Sequence, residues 1–139
     1  MIKLGDVFAD TVFLIALVVR ADQYHSRAQG WLRRVGGRIV TTDAVLIETA
    51  NALSRPEWRQ HAVTLIDRLV QRSDVAILSA NDLWKRGLEL YRNRPDKGWS
   101  LTDCMSFVAM TDAGLSDALT ADEHFRQAGL RAILLNEPD

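Results

Sequence analysis

The stretch Trp99–Phe125, WSLTDCMSFVAMTDAGLSDALTADEHF, decides the fold. It contains two helix beginnings and one short apolar strand, with an aspartate at each helix beginning. Ser100 is placed to cap a helix over Leu101–Ala113, and Asp103 stands at the position where a capping box puts its acid. Gly114 stops that helix. Asp117–Thr120 is apolar enough for a buried strand, and Asp122 follows it directly, where the chain turns into a short helix ending near Gly129. A strand that ends on an acid and turns into a helix is the repeating unit of an open α/β sheet.

The same unit recurs upstream. Val7–Ala9 is a short apolar strand ended by Asp10, and Thr11–Val19 reads as a mostly apolar helix. Gln23–Arg34 is amphipathic, and Gly36-Gly37 marks a turn. Arg38–Thr41 is a second strand, after which Thr42 or Asp43 can cap a helix running to about Ser54. Pro56 opens another helix, to about Arg72. Val75–Leu78 is a third strand, and Ser79 with Asp82 resembles a capping box for a helix ending near Arg92. Asn93–Trp99 is the most polar connector. Ala132–Leu135 is the expected last strand. Strands alternating with helices imply a parallel sheet covered on both faces. Ligands of such sheets bind beyond the carboxyl ends of the strands, where the strand order reverses.

Length and composition are those of a globular protein: 139 residues, 47% hydrophobic, 25% charged and a net charge of -1. One domain over residues 1–139 is expected, with enough chain to bury a core without disulfides or a structural metal. Cys104 is the only cysteine, so no internal disulfide forms, which suits a reducing compartment. The weak overall charge excludes nucleic-acid binding by a whole-molecule field and leaves only a local basic patch for it. The apolar run Val12–Val19 follows acids rather than a basic segment and is too short to cross a membrane. A cytoplasmic protein without membrane association is expected.

Four acids stand out: Asp10, Glu48, Asp103 and Asp122. Three have a capping explanation, since each of these aspartates lies at a helix start. Glu48 has none. It is embedded among Val45, Leu46, Ile47 and Ala50, and the nearest base is Arg55, beyond one turn. If the first and fourth strands are neighbours, Asp10 and Asp122 converge, and Asp103 reaches the same place. Carboxylates gathered so closely raise one another's pKa values, and hard divalent cations relieve that repulsion. Such cations support in-line phosphoryl displacement, with one or two metals.

With these landmarks in place, ADTVFLIAL around Asp10, TTDAVLIETANALSR around Glu48, WSLTDCMSFVAM around Asp103 and ALTADEHFRQAGL around Asp122, the chain resembles the PIN-domain ribonucleases of the VapC type, the toxins of toxin–antitoxin modules. The resemblance covers nearly the whole chain. It implies a three-layer α/β/α sandwich with a central parallel sheet of strand order 3-2-1-4-5. It further implies hydrolysis of RNA phosphodiester bonds dependent on Mg2+ or Mn2+, a cognate antitoxin protein and a homodimer; Trp31, Trp58 and Trp84 could sit at its interface as easily as in the core. By position, Asp10, Glu48, Asp103 and Asp122 match the acidic quartet, and Thr11 and Thr120 match small polar positions beside it. Asn51 is a candidate to orient Glu48, and Glu123 is read as surface charge.

Arg92, Arg94, Lys97 and Trp99 carry two readings: phosphate contacts and base stacking on single-stranded RNA, or a solvated loop with Trp99 as a core anchor. His124, beside Phe125 and without a second histidine at a useful spacing, is read as a packing or supporting residue rather than a metal ligand. His25 and His61 are read on polar helix faces, and Cys104 as a small buried hydrophobe. A phosphoacceptor receiver domain would need an acceptor aspartate after the third strand, where Leu78-Ser79 stand, and a lysine on the last strand, which has none. A haloacid-dehalogenase-type phosphatase would need a second aspartate at position 12, which is Val. The remaining alternative is a PIN fold kept as a non-catalytic RNA- or protein-binding module.

Overall fold

The computed structural model describes residues 2–138. Five parallel strands form one sheet in the order β3-β2-β1-β4-β5: β1 Val7–Ala9, β2 Ile39–Thr42, β3 Val75–Leu78, β4 Asp117–Leu119 and β5 Arg131–Ala132. The central strand β1 pairs on one side with β2, Phe8 opposite Val40, and on the other with β4, Ala9 opposite Leu119. All three residues of β1 are buried, so its sequence is continuously apolar rather than alternating, as a strand covered on both faces requires.

Helices complete the three layers. On one side α1 Thr11–Val18 packs against α2 His25–Leu32, α3 Asp43–Ala52 and α4 Pro56–Gln71. On the other, α5 Ala80–Asn93 lies along α6 Leu101–Ala113, which also meets α7 Glu123–Gln127. The helix ends follow local chemistry. Pro56 occupies the first turn of α4, where its missing N–H costs nothing. Thr42, rather than Asp43, caps α3 by accepting the Val45 N–H; Asp43 instead accepts the Ala80 N–H at 2.8 Å and ties the start of α5 to the start of α3. Ser100 and Asp103 form the full capping box of α6. Ser79 caps α5 through the Asn81 N–H, without the reciprocal Asp82 bond that its sequence suggests. Gly114 ends α6 in the left-handed conformation, at φ 67°, where a residue with a Cβ would be strained.

Two expectations are corrected by tertiary contacts. The last strand is only Arg131–Ala132, and Ile133–Leu135 turn into a 3₁₀ helix. Leu134 N–H is drawn to the Thr120 carbonyl, and Ile133 and Leu134 are buried in the core by that turn. His25 is not on a free polar face: its Nδ1 is 2.7 Å from the Ala16 carbonyl oxygen and joins α2 to α1. Of the tryptophans proposed for an interface, Trp31 is a core residue whose indole N–H donates to the Asn136 carbonyl. Trp84 is exposed and Trp58, half-buried, lies under the Arg55 guanidinium.

Helices α5 and α6 approach closely at Gly87. A Cβ on Gly87 would fall 2.6 Å from Met105 Cγ and 3.2 Å from the Met105 backbone nitrogen. The side-chain end can yield; the backbone of α6 cannot without carrying Asp103 with it. Gly87→Val should therefore destabilise the fold by about 2 kcal/mol through overpacking, although valine is the better helix former. Urea titration measures it, and Met105→Ala in the same chain should recover part of the loss, a non-additive pair.

Candidate active site: a carboxylate cluster at the edge of the sheet

The site is built where β1 and β4 end side by side. Asp10 follows β1 and is 3% exposed. It occupies the N-cap position of α1 but makes no side-chain capping bond. Its Oδ2 accepts instead from the Thr120 hydroxyl, at 2.9 Å, across the sheet from the residue after β4. Thr120 Oγ1 in turn accepts the Asp122 N–H at 3.1 Å. A hydroxyl has one proton, so the incoming N–H directs that proton onto Asp10. Thr120, a flanking position in the sequence reading, is the joint that couples Asp10 to the Asp122 turn. Its neighbour across the site, Thr41, donates to the Ala9 carbonyl at 2.8 Å and fixes the end of β2 against the end of β1.

Asp103 and Asp122 both cap helices and also face each other across His124. Asp103 Oδ2 accepts the Ser100 N–H at 3.1 Å within the capping box, and the same oxygen lies 2.9 Å from His124 Nδ1. Asp122 Oδ1 caps α7 through the His124 N–H at 2.9 Å and stands 3.4 Å from His124 Nδ1. One ligand atom each from Asp103, Asp122 and His124 lie within 4.8 Å of one another, close enough to hold one metal ion. His124 thus stands inside the cluster, bridging the two aspartates, and is not merely a packing residue beside Phe125. The signal in the sequence is its place two residues after Asp122, on the first turn of a helix that Asp122 caps.

The electrostatics connect the remaining acids. Burial pushes the Asp10 carboxyl up from 3.8 to about 7; the Thr120 hydroxyl and Thr11 N–H oppose the rise, and the charges of Asp103 and Glu48 add to it. Glu48, half-buried on α3, is therefore close enough to Asp10 for its charge to be felt there. All four sequence-designated acids meet at one edge of the sheet. Thr11 is also here: its hydroxyl is buried and has no hydrogen-bond partner among the described residues, an orphaned polar atom beside a carboxylate. This donor set, carboxylate oxygens with one imidazole, fits a divalent cation, and the mutual repulsion at Asp10 is what a cation would remove.

The other designated residues fall in different places. Asn51 is exposed on α3 and makes no hydrogen bond to Glu48; its carbonyl accepts the Ser54 hydroxyl. Glu123 is exposed and pairs with Arg126. Cys104 is buried, and burial followed by the charge of Asp103 raises its thiol pKa, which keeps it an inert thiol. Trp99 is a core anchor: it meets Phe107 edge-on with ring centroids 5.0 Å apart, donates its indole N–H to Gln127 and carries the Arg94 guanidinium over its ring. No ring face is left for a base. Arg94 is further held by Asp96 in a two-bond ion pair. Arg92 is exposed and Lys97 half-buried, and neither forms a salt bridge among the described residues.

Comparison with known proteins bears on this geometry. No curated protein sequence matches the chain significantly. The structure is similar to the crystal structure of VapC20 from Mycobacterium tuberculosis, described as a toxin that cleaves the sarcin–ricin loop. The TM-score is 0.84 and the identity 25%, over 91% of this chain and 97% of that one. The sequence model of the PIN domain matches residues 7–130, which span every strand except the last and all four acids. The chain belongs to the PIN-domain family.

Proposed function

We propose that this protein is a metal-dependent endoribonuclease, the toxin of a toxin–antitoxin pair, with Asp10, Glu48, Asp103 and Asp122 as its catalytic, metal-holding residues. The observation that carries the reading is the buried Asp10 carboxyl, raised to about 7 by burial and by the charges of Asp103 and Glu48. The Thr120 hydroxyl and the Thr11 N–H offset that rise only in part, the side chain makes no capping bond, and no salt bridge reaches it among the described residues. The likeness to VapC20, itself described as an RNA-cleaving toxin, supports the ribonuclease class. A cognate antitoxin covering the acidic edge and a homodimer belong to the same reading.

When bound, Mg2+ or Mn2+ supplies charge neutralisation, an acidified water and stabilisation of the pentavalent phosphoryl transition state. The chain's own residues do the rest. Asp10 presents one carboxylate oxygen to the site while Thr120 fixes the other. Asp103 and Asp122 are aimed by helix caps that exist before any ligand arrives, so their orientation costs nothing at the moment of reaction. His124 holds Asp103 Oδ2 and sets the spacing between the two aspartates. Glu48 brings its carboxylate from the opposite helix layer.

Asp10→Asn separates this reading from the non-catalytic module. The amide can still accept the Thr120 hydroxyl, so the fold should persist. Cleavage of single-stranded RNA in Mg2+ or Mn2+ should fall by a factor of 100 or more, and metal-induced stabilisation, which follows from binding to the native state alone, should shrink. Equal thermal stabilisation of both proteins by metal, or wild-type cleavage that survives a chelator, would overturn the assignment.

The same carboxyl predicts a pH dependence. Its folded pKa, about 7, lies above the unfolded 3.8, so between those values the native state holds more protons than the unfolded chain. Stability contributed by Asp10 is then full below about pH 4, declines as pH rises to about 7 and is lost above it. The difference of about three units corresponds to roughly 4 kcal/mol at most. Urea titrations of the metal-free protein at pH 5 and pH 8 should show this decline, and Asp10→Asn should flatten it. Finally, light scattering over a wide concentration range should show a dimer; Trp84 and the exposed Val63 and Val70 of α4 offer apolar surface for it.

A further inference from the structure

Beside the carboxylate cluster, between the end of α5 and the loop before α6, lies an open cavity of about 720 Å³. Its wall includes Tyr91, Arg92, Lys97, Gly98 and Ser100. Tyr91 is 50% exposed, an aromatic ring on the last turn of α5 with no ring partner among the described residues. Arg92 follows it, exposed, and Lys97 approaches from the loop. Neither cation forms a salt bridge among the described residues, while the third base of the wall, Arg94, is committed to Asp96 and to the face of Trp99. The loop's own acid is thereby occupied, which leaves the charge of the cavity to Arg92 and Lys97.

The cavity borders the acidic site through Ser100 and Gly98. Ser100, on its rim, is the residue whose N–H and hydroxyl hold Asp103. Gly98 lies against His124, where a Cβ would stand 3.8 Å from Nε2. A phosphodiester strand presented to four carboxylates is repelled by them, and a chain of net charge -1 has no global field to hold it there. Cations next to the cluster must supply the attraction locally.

Resting on the ribonuclease reading, the geometry points to this cavity as the subsite for the RNA flanking the cleaved bond: Tyr91 stacks an unpaired base, and Arg92 and Lys97 hold the phosphates beside it. The arrangement selects single-stranded RNA, because only an unpaired base can reach the ring. Phosphate contacts of this kind position the strand and carry no sequence information. Trp99, the aromatic that the sequence offers for stacking, has a different part: buried against Phe107, it anchors the loop that carries Lys97.

The test is binding of a fluorescein-labelled single-stranded RNA decamer by fluorescence anisotropy, with metal removed by chelator so that no strand is cut. Tyr91→Ala should weaken binding about tenfold or more, and Tyr91→Phe should restore it. Arg92→Ala and Lys97→Ala should each lower the slope of log K against log salt by about 0.7, the single-strand value per phosphate. Thermal melts establish that each variant folds, which the exposure of Tyr91 and Arg92 favours. Wild-type affinity and salt slope in all three alanine variants would overturn the subsite, as would a wild type that binds no RNA. Wild-type cleavage with Mn2+ is assayed in parallel. Metal-dependent cleavage with unmoved binding overturns the subsite alone. Variant-sensitive binding without any cleavage supports the subsite and overturns the nuclease.

Discussion

The arrangement depends on one buried contact, the Asp10 carboxylate against the Thr120 hydroxyl at the junction of β1 and β4. A carboxylate that is 3% exposed is costly unless hydrogen-bonded or paired. The fold satisfies part of that requirement with Thr120 and the Thr11 N–H, and leaves the rest unmet, as the elevated pKa records. The strand order makes this possible. Because β4 and not β3 lies beside β1, the residues after two separate strands meet, and a crevice opens where the chain leaves the sheet in opposite directions.

The acids around Asp10 divide into two kinds. Asp103 and Asp122 have a structural role of their own, since each caps a helix and would be favoured at its position with no ligand in view. Asp10 and Glu48 have no such local reward. Charge on Glu48 and Asp103 acts against ionisation of Asp10, so these groups oppose stability in the absence of a cation. Local conflict of this sort marks functional positions, where a sequence departs from what folding alone selects. Capping therefore does not argue against the proposed ligand role of Asp103 and Asp122: a cap supplies the rigidity that a ligand position requires.

What could be read from the sequence follows the same division. The strand–helix alternation, the apolar β1, the Ser100–Asp103 box and Pro56 are local signals, and the structure reproduces them. The gathering of the acids was legible because a strand end fixes where an acid goes, and the strand order followed from the resemblance to PIN-domain ribonucleases. The misread features all turn on distant partners. The last strand gives way to a 3₁₀ turn because Thr120 claims the Leu134 N–H. His25 is internal because the Ala16 carbonyl needs a partner at the end of α1. Trp99, which the sequence left between stacking a base and anchoring the core, is the anchor, because Phe107 and Gln127 are near it in space. His124 needed the capping geometry of α7 to be placed between Asp103 and Asp122.

The helix layers then have an electrical as well as a packing task. Glu48 comes from α3 on one side of the sheet and Asp103 from α6 on the other, and α3 and α6 touch. The cluster therefore closes only when both layers are docked, and any repulsion within it bears on that docking. A divalent cation bound by the native state alone stabilises it in proportion to its occupancy, so in the bound state the charges that strain the two layers would tie them together. The close approach of α5 to α6 at Gly87 and Met105 holds α6 from behind against that strain. Core packing behind the site and the charge within it are in this sense one problem: the sheet edge can carry carboxylates without local compensation because the helices bearing them are fixed elsewhere.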